Sequence, residues 1–237
     1  MKILVINGSP KDEQSNTMVL TRAFLDGAGW SDAEIISVSK QKIENCIGCF
    51  GCWRDTPGEC VIKDDMDEIL PKLIAADVII WSFPLYYYSV PGGLKTLIDR
   101  QLPMNLPEMT PGTESGDHPY RYDLSHQRHI VISGCGFWTH KGNYDAVVAM
   151  FSRMDVDTFI FCGQGELFQA VNMKEMPQGV QMGADEWEGL KSLLHSHLAI
   201  IARAGKEFAA GEIKPKTLAE LEKSVLPQEV YEQGATS

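Results

Sequence analysis

A chain of 237 residues with a formal net charge of −11 exceeds the commonest size of a single domain, yet one α/β core with a few long connections reaches it. Its hydrophobic fraction of 44% is that of a globular protein. No stretch approaches the roughly 20 apolar residues that cross a bilayer, and no run of Lys and Arg is dense enough to neutralise a phosphate backbone, so neither membrane nor nucleic acid is expected as a partner.

The chain opens on MKILVINGSP, which begins a strand at once and lacks the long apolar run and small-residue cleavage site of a secretory signal. A cytoplasmic location is expected, where thiols stay reduced. Residues 2 to 7, KILVIN, form a continuous apolar run ending in GSP, the pattern of a central parallel strand buried on both faces. A helix is predicted from Asn16, stopped by Gly27 and Gly29. A second strand follows over 33 to 39. DDMDEILPKLIAA reads as a helix interrupted or restarted at Pro71, and DVIIWSF, 77 to 83, as a third strand ended by Pro84. The remaining elements are a helix in GGLKTLIDRQL, a strand over 128 to 134, a helix in YDAVVAMFSRM, a strand over 156 to 163 and a long final helix beginning at EWEGLK.

Strands alternating with helices give parallel βαβ units that cover both faces of one sheet. Five such strands fit a flavodoxin-like three-layer α/β sandwich with strand order 2-1-3-4-5. Residues 1–211 are read as one domain with a cysteine-rich insertion at 43–66 and an excursion at 102–127. Residues 212–237 form a charged tail. The spaced apolar residues of AELEKSVLPQEVY have no evident core to enter, which predicts that the tail docks on a second copy, in a homodimer or homotetramer.

In such a sheet ligands bind where the strands' carboxyl ends meet the reversal of strand order. GSPKDEQSNT, residues 8 to 17, lies there. Ser9, Ser15 and Thr17 offer hydroxyls, Asn16 an amide and Lys11 a charge, while the helix start favours an anion. Helix capping by Ser15 or Asn16 is the competing explanation, but capping does not require so many donors. Neither GxxxxGK[ST] nor GxGxxG is present, and a short hydroxyl-rich loop suits one phosphomonoester. At the same edge, Tyr86, Tyr87 and Tyr88 in SFPLYYYSVPGGLK supply aromatic surface, although three consecutive side chains cannot all face one ligand. Gly134 and Gly136 in SGCGFWTHKGNYD let backbone approach a ligand closely. A phosphate grip, an aromatic wall and a glycine wall together describe a flavin mononucleotide (FMN) pocket.

GSPKDEQSNT, PLYYYSVPGGLKTLIDR and ENCIGCFGCWRDTPGECVIKDDM resemble, in order over about residues 1 to 165, the NADPH-dependent FMN reductase group of flavodoxin-like proteins, and in particular its iron-sulfur flavoprotein branch. The resemblance implies that Ser9, Lys11, Ser15, Asn16 and Thr17 hold the FMN phosphate, and that Pro84, Leu85, Tyr86 and Tyr87, with Gly134, Cys135 and Gly136, line the ribityl chain and ring. It further implies a four-iron cluster on Cys46, Cys49, Cys52 and Cys60. Four thiolates serve either zinc or a four-iron cluster. The close spacing of the first three favours the cluster over zinc, and buried cysteines that merely pack are the third reading. Cys162 reads as packing, Asp64 and Asp65 as the start of a helix, and His140 as an exposed residue that could reach a substrate, although a lone exposed His more often has no role. The activity implied is an FMN-dependent oxidoreductase that takes a hydride from NADH or NADPH and passes electrons to a small-molecule or protein acceptor. A flavodoxin-type electron carrier and a cysteine-based metal module are its rivals.

Overall fold

The computed structural model describes residues 1–112, 116–176 and 182–235. Its centre is one five-stranded parallel sheet of order β2-β1-β3-β4-β5. The strands are β1 (Ile3–Asn7), β2 (Glu34–Ser37), β3 (Val78–Pro84), β4 (Arg128–Gly134) and β5 (Thr158–Cys162). This is the expected order. β1 is buried along its whole length, as a continuous apolar run requires of an inner strand covered on both faces.

Alternation along the strands divides the core in two. Ile3, Val5, Val78, Ile80, Ile130, Ile132 and Ile160 face α1 (Asn16–Ala28) and α6 (Ala184–Ala209). Leu4, Ile6, Ile79, Trp81 and Val131 face α3 (Met66–Ala75), α4 (Gly92–Asp99) and α5 (Asp145–Ser152). α1 and α6 meet backbone to backbone: a Cβ on Gly27 would lie 1.8 Å from Ala202 O, and one on Gly205 2.0 Å from Phe24 O. Only glycine permits that approach.

Two expectations change, and one short element is added. α3 runs unbroken through Pro71, whose ring lies on the exposed face, so the helix loses one hydrogen bond without losing its course. The cysteine segment contains a four-residue helix, α2 (Gly51–Arg54). The tail has a core to enter within its own chain. It forms α7 (Pro215–Leu221) and α8 (Gln228–Ala235); Ile213 and Leu221 are buried in the α1/α6 layer, with Val225 and Leu226 packed against it. Five short strands and their crossover helices leave the sheet's carboxyl edge free for loops, and there the predicted site residues collect. No helix among the described residues is long and apolar enough to cross a membrane.

Candidate functional site

The first loop at that edge is held from several sides. Fully buried Asn7 accepts the Ser9 N–H through Oδ1 at 3.1 Å, while its Nδ2 has no partner. Asp12 adopts φ of 54° and binds the Ser37 hydroxyl at the end of β2 and Lys40 just beyond it. These contacts, Lys40 first, hold its carboxyl below the usual range. Ser15 caps α1 by accepting the Met18 N–H at 3.2 Å. Asn16 Oδ1 accepts the Gln169 N–H at 3.1 Å, tying the helix start to the segment after β5.

The second loop follows β3. Leu85 N–H donates to Gly134 O at 3.0 Å, and Tyr86 and Ser89 exchange backbone bonds of 2.9 and 3.0 Å. Between them, Tyr87 and Tyr88 have φ of 48° and 63°, the left-handed pair that a two-residue loop requires. That turn decides which tyrosine faces the cleft: Tyr86 lines it, Tyr87 is 97% exposed, and Tyr88 stacks on Phe137 with centroids 5.8 Å apart. Tyr87 is therefore not a lining residue, contrary to the sequence expectation.

The third wall joins β4 to β5. Cys135 N–H donates to Cys162 O at 2.9 Å, and Gly165 N–H returns a 2.7 Å bond to Cys135 O. A cleft of about 180 Å³ is bounded by Ser9, Lys11, Ser15, Asn16, Thr17, Pro84, Leu85, Tyr86, Gly134, Cys135, Gly136, Gly165 and Glu166. Eleven of the twelve residues predicted for a flavin thus meet at one place. Gly165 and Glu166 were missed, although GQG after β5 repeats the glycine signal of GCG after β4. Burial first, and Glu166 among the further causes, push the Cys135 thiol up, so it stands neutral in the wall. The buried hydroxyls of Ser9, Ser15 and Thr17, the Lys11 side chain and the α1 start fit a phosphate-bearing ligand.

The tail closes on this wall. Gln164 clamps Leu226 with bonds of 2.9 and 2.8 Å, His140 Nε2 lies 3.2 Å from Glu222, and Tyr231 donates to Gly136 O at 2.6 Å and to Glu166. His140 is buried and partnered, not an exposed residue without a role. Sequence spacing gave no sign of these contacts, because they depend on where the tail returns.

Cys46, Cys49, Cys52 and Cys60 also come together. All four line a hollow of about 20 Å³ with Phe50, Val61, Arg100 and Leu102. Cys46 and Cys49 are exposed, Cys52 is buried and Cys60 lies between. Burial pushes the Cys52 thiol up, with Cys60 the next cause. Trp53 Nε1 donates to Leu102 O and Asn105 O at 3.3 and 3.0 Å, so the start of the 102–127 excursion backs this segment in the same chain. Among the described residues no three His, Cys, Asp or Glu side chains converge to hold a single metal ion. As a donor set, four thiols on one hollow suit a thiolate-bound group; the hollow itself is closed down to about one water's room. Asp64, expected merely to begin a helix, also has its side chain covered to 6% exposure and paired with Arg100 at 2.7 Å. Cys162 packs as expected, buried 3.5 Å from His197 Nε2.

Residues 1–112 match the model of a family described as NADPH-dependent FMN reductase. An iron-sulfur flavoprotein of Methanocaldococcus jannaschii is 40% identical over 108 residues, 45% of this chain and 54% of that protein. One from Archaeoglobus fulgidus is 38% identical over 105 residues, 44% of this chain and 46% of that protein. The chain thus spans about half the length of the curated relatives it matches. An FMN-dependent NADH-azoreductase of Bacillus anthracis, solved with FMN, superposes with a TM-score of 0.56 at 18% identity, covering 88% of this chain and 99% of that one; that likeness speaks for the fold.

Proposed function

We propose that this chain, whose residues 1–112 belong to the NADPH-dependent FMN reductase family, binds FMN in the carboxyl-edge cleft and oxidises NADH or NADPH with it, passing the electrons to an acceptor. The observation that carries this reading is the convergence of buried hydroxyls, a helix N-terminus and Lys11 on one side of the cleft with Tyr86 and the Gly134–Gly136 backbone on the other.

Bound flavin supplies hydride acceptance and one-electron release. The chain's own residues then have separable tasks. Ser15, Asn16 and Thr17 present donors to the phosphate where the α1 dipole already favours an anion, and Lys11 adds a positive charge. Asp12, locked to Ser37 and Lys40, keeps that loop in place. Tyr86 and the Gly134–Gly136 backbone flank a planar ring, and the neutral Cys135 thiol adds no charge of its own beside it. Tyr231 fixes the Gly136 carbonyl and the Glu166 carboxylate on the tail side.

The test is anaerobic: apoprotein is loaded with FMN, gel-filtered, and titrated with NADPH and NADH under argon. One flavin per chain with bleaching by either nicotinamide is expected. Flavin that stays bound but unbleached would favour the electron-carrier reading instead, and no retained flavin would remove both. The four cysteines on one hollow support a second element: Cys46, Cys49, Cys52 and Cys60 would hold an iron-sulfur group, whose chemistry would be one-electron relay to the acceptor. For the aromatic rim of Tyr87, Tyr88 and Phe137, exposed beside the cleft, the partner we propose is a second copy of the chain; a monomer by light scattering at micromolar concentration would dismiss it.

A further inference from the structure

Arg100 has no role in the flavin cleft, yet it is 1% exposed, and burying a guanidinium costs several kcal/mol unless its partners are well placed. Those partners lie at both ends of the cysteine segment. Nη1 donates at 2.7 Å to Glu44 O, ahead of Cys46, and at 2.7 Å to Asp64 Oδ2. Nη2 donates at 3.3 Å to Ile62 O, beyond Cys60, and at 3.0 Å to Asp64 Oδ1. The side chain thus staples the segment closed with a bidentate pair. Two features exceed a staple. Nε is buried without a partner, and the guanidinium borders the hollow that Cys46, Cys49, Cys52 and Cys60 line.

We propose that Arg100 is a positioning residue that sets the electrostatic potential of an iron-sulfur group on Cys46, Cys49, Cys52 and Cys60, offsetting the negative charge that accumulates there on reduction. The inference rests on the reading in which these cysteines hold such a group. One electron entering a four-thiolate site makes it one unit more negative and breaks no bond in the protein. A fixed positive charge at the rim stabilises the reduced form and raises the potential, since hydrogen bonding and net charge are among the protein's means of tuning such sites. Asp64 works in the opposite sense. Its carboxylate takes both Nη donors and the N–H groups of Glu44 and Met66 at 2.9 and 3.0 Å, so it cancels part of the field Arg100 supplies.

The two residues therefore predict shifts of opposite sign, which a purely structural role would not produce. Full-length protein carrying FMN is reconstituted anaerobically with ferrous iron and sulfide. Iron, sulfide and flavin are counted, and the one-electron potential is measured by dithionite titration followed by electron paramagnetic resonance. In each step dithionite is oxidised toward sulfite and the iron-sulfur core gains one electron. Arg100→Gln should lower the potential and Asp64→Asn should raise it, each by at least tenfold in the reduced-to-oxidised ratio, about 59 mV. Arg100→Lys, which keeps the charge and loses the fork, should fall less than Arg100→Gln. Wild-type and variant potentials that agree within that margin, or that move in the same direction for Arg100→Gln and Asp64→Asn, overturn the proposal while leaving the cluster reading intact. If Arg100→Gln binds FMN but no iron, Asp64→Asn decides, and a potential at or below the wild-type value rejects the idea. Wild-type protein that binds FMN but less than about one iron per chain rejects the four-thiolate reading and this proposal together.

Discussion

Ser15 is where two explanations of one residue come apart. Its Oγ accepts the Met18 N–H at 3.2 Å as the cap of α1, and it also lines the cleft. A hydroxyl can do both, because its hydrogen stays free to donate while a lone pair accepts. Ser15→Ala should therefore have two separable effects. Losing the cap costs about 1 kcal/mol, which in a chain of this size lowers the apoprotein Tm by about 2–4 °C. That cost falls equally on free and flavin-bound protein and cancels from the binding equilibrium. Losing a donor to a charged phosphate costs a further 1.5 to 3 kcal/mol, roughly ten- to a hundredfold in Kd for FMN. Ser15→Asp separates the effects further. Asp caps as well as Ser, so the apoprotein Tm should hold. Its carboxylate, set about 4 Å from a phosphate charge at an effective dielectric of 20, opposes binding by about 4 kcal/mol, nearly a thousandfold. Thermal melts of the apoproteins beside titrations of flavin fluorescence measure both quantities. A Ser15→Ala protein with the lower Tm and wild-type FMN affinity would make Ser15 a cap only, and a Ser15→Asp protein that binds FMN normally would move the phosphate away from this helix.

Replacing Cys49 with Ser should abolish iron uptake on anaerobic reconstitution while FMN stays bound and reducible by nicotinamide, because the phosphate grip is a different loop; equal iron in variant and wild type would contradict this. Gly205→Ala places a Cβ 2.0 Å from Phe24 O, so the α1–α6 contact should open at a cost of about 1–3 kcal/mol, and an unchanged Tm would deny that close approach. Burial holds His197 down at about 4, so the unfolded chain takes up this proton first as pH falls. The stability that neutral His197 contributes is whole above the ordinary histidine range near 6.5 and is lost as pH falls from there toward 4. From pH 7 to pH 5 that amounts to about 2 kcal/mol, read by urea unfolding as the part of the pH dependence that His197→Gln abolishes; equal slopes in the two proteins would refute it.

The sheet was legible because its signals are local. Apolar runs such as KILVIN end in glycine or proline, and their period separates strand from helix, which is enough for five strands and their order. The phosphate loop was legible for a related reason: strand, hydroxyl-rich turn and helix start adjoin in sequence as they do in space. Tyr87 was misread because YYY carries no period, and only the left-handed turn at Tyr87 and Tyr88 decides which ring faces inward. Glu166, His140 and Tyr231 escaped because their partners lie across the fold, up to 95 positions away for Tyr231 and Gly136. The tail looked as though it lacked a core because that core, between α1 and α6, is assembled from distant segments.

The sheet order also explains why a flavin cleft and a four-thiol hollow can share one small domain. β1 and β2 are neighbours, so the phosphate loop after β1 and the cysteine segment after β2 leave the sheet side by side. The structure ties them where they leave it, through Asp12 to Ser37 and Lys40. A second tie runs through α4, which begins behind the tyrosine loop: Thr96 Oγ1 donates to Asn45 at 3.0 Å, and Arg100, just past its end, closes the segment on both sides of the cysteines. α4 thus runs from the tyrosine loop of the cleft to the guanidinium that borders the four thiols. A change that shifts α4 would be felt at both, whereas the substitutions at Ser15 and Cys49 each act within a single loop. For that reason the single-loop variants are the ones expected to separate flavin binding from iron binding, whereas Arg100 sits at the end of the helix that reaches both segments.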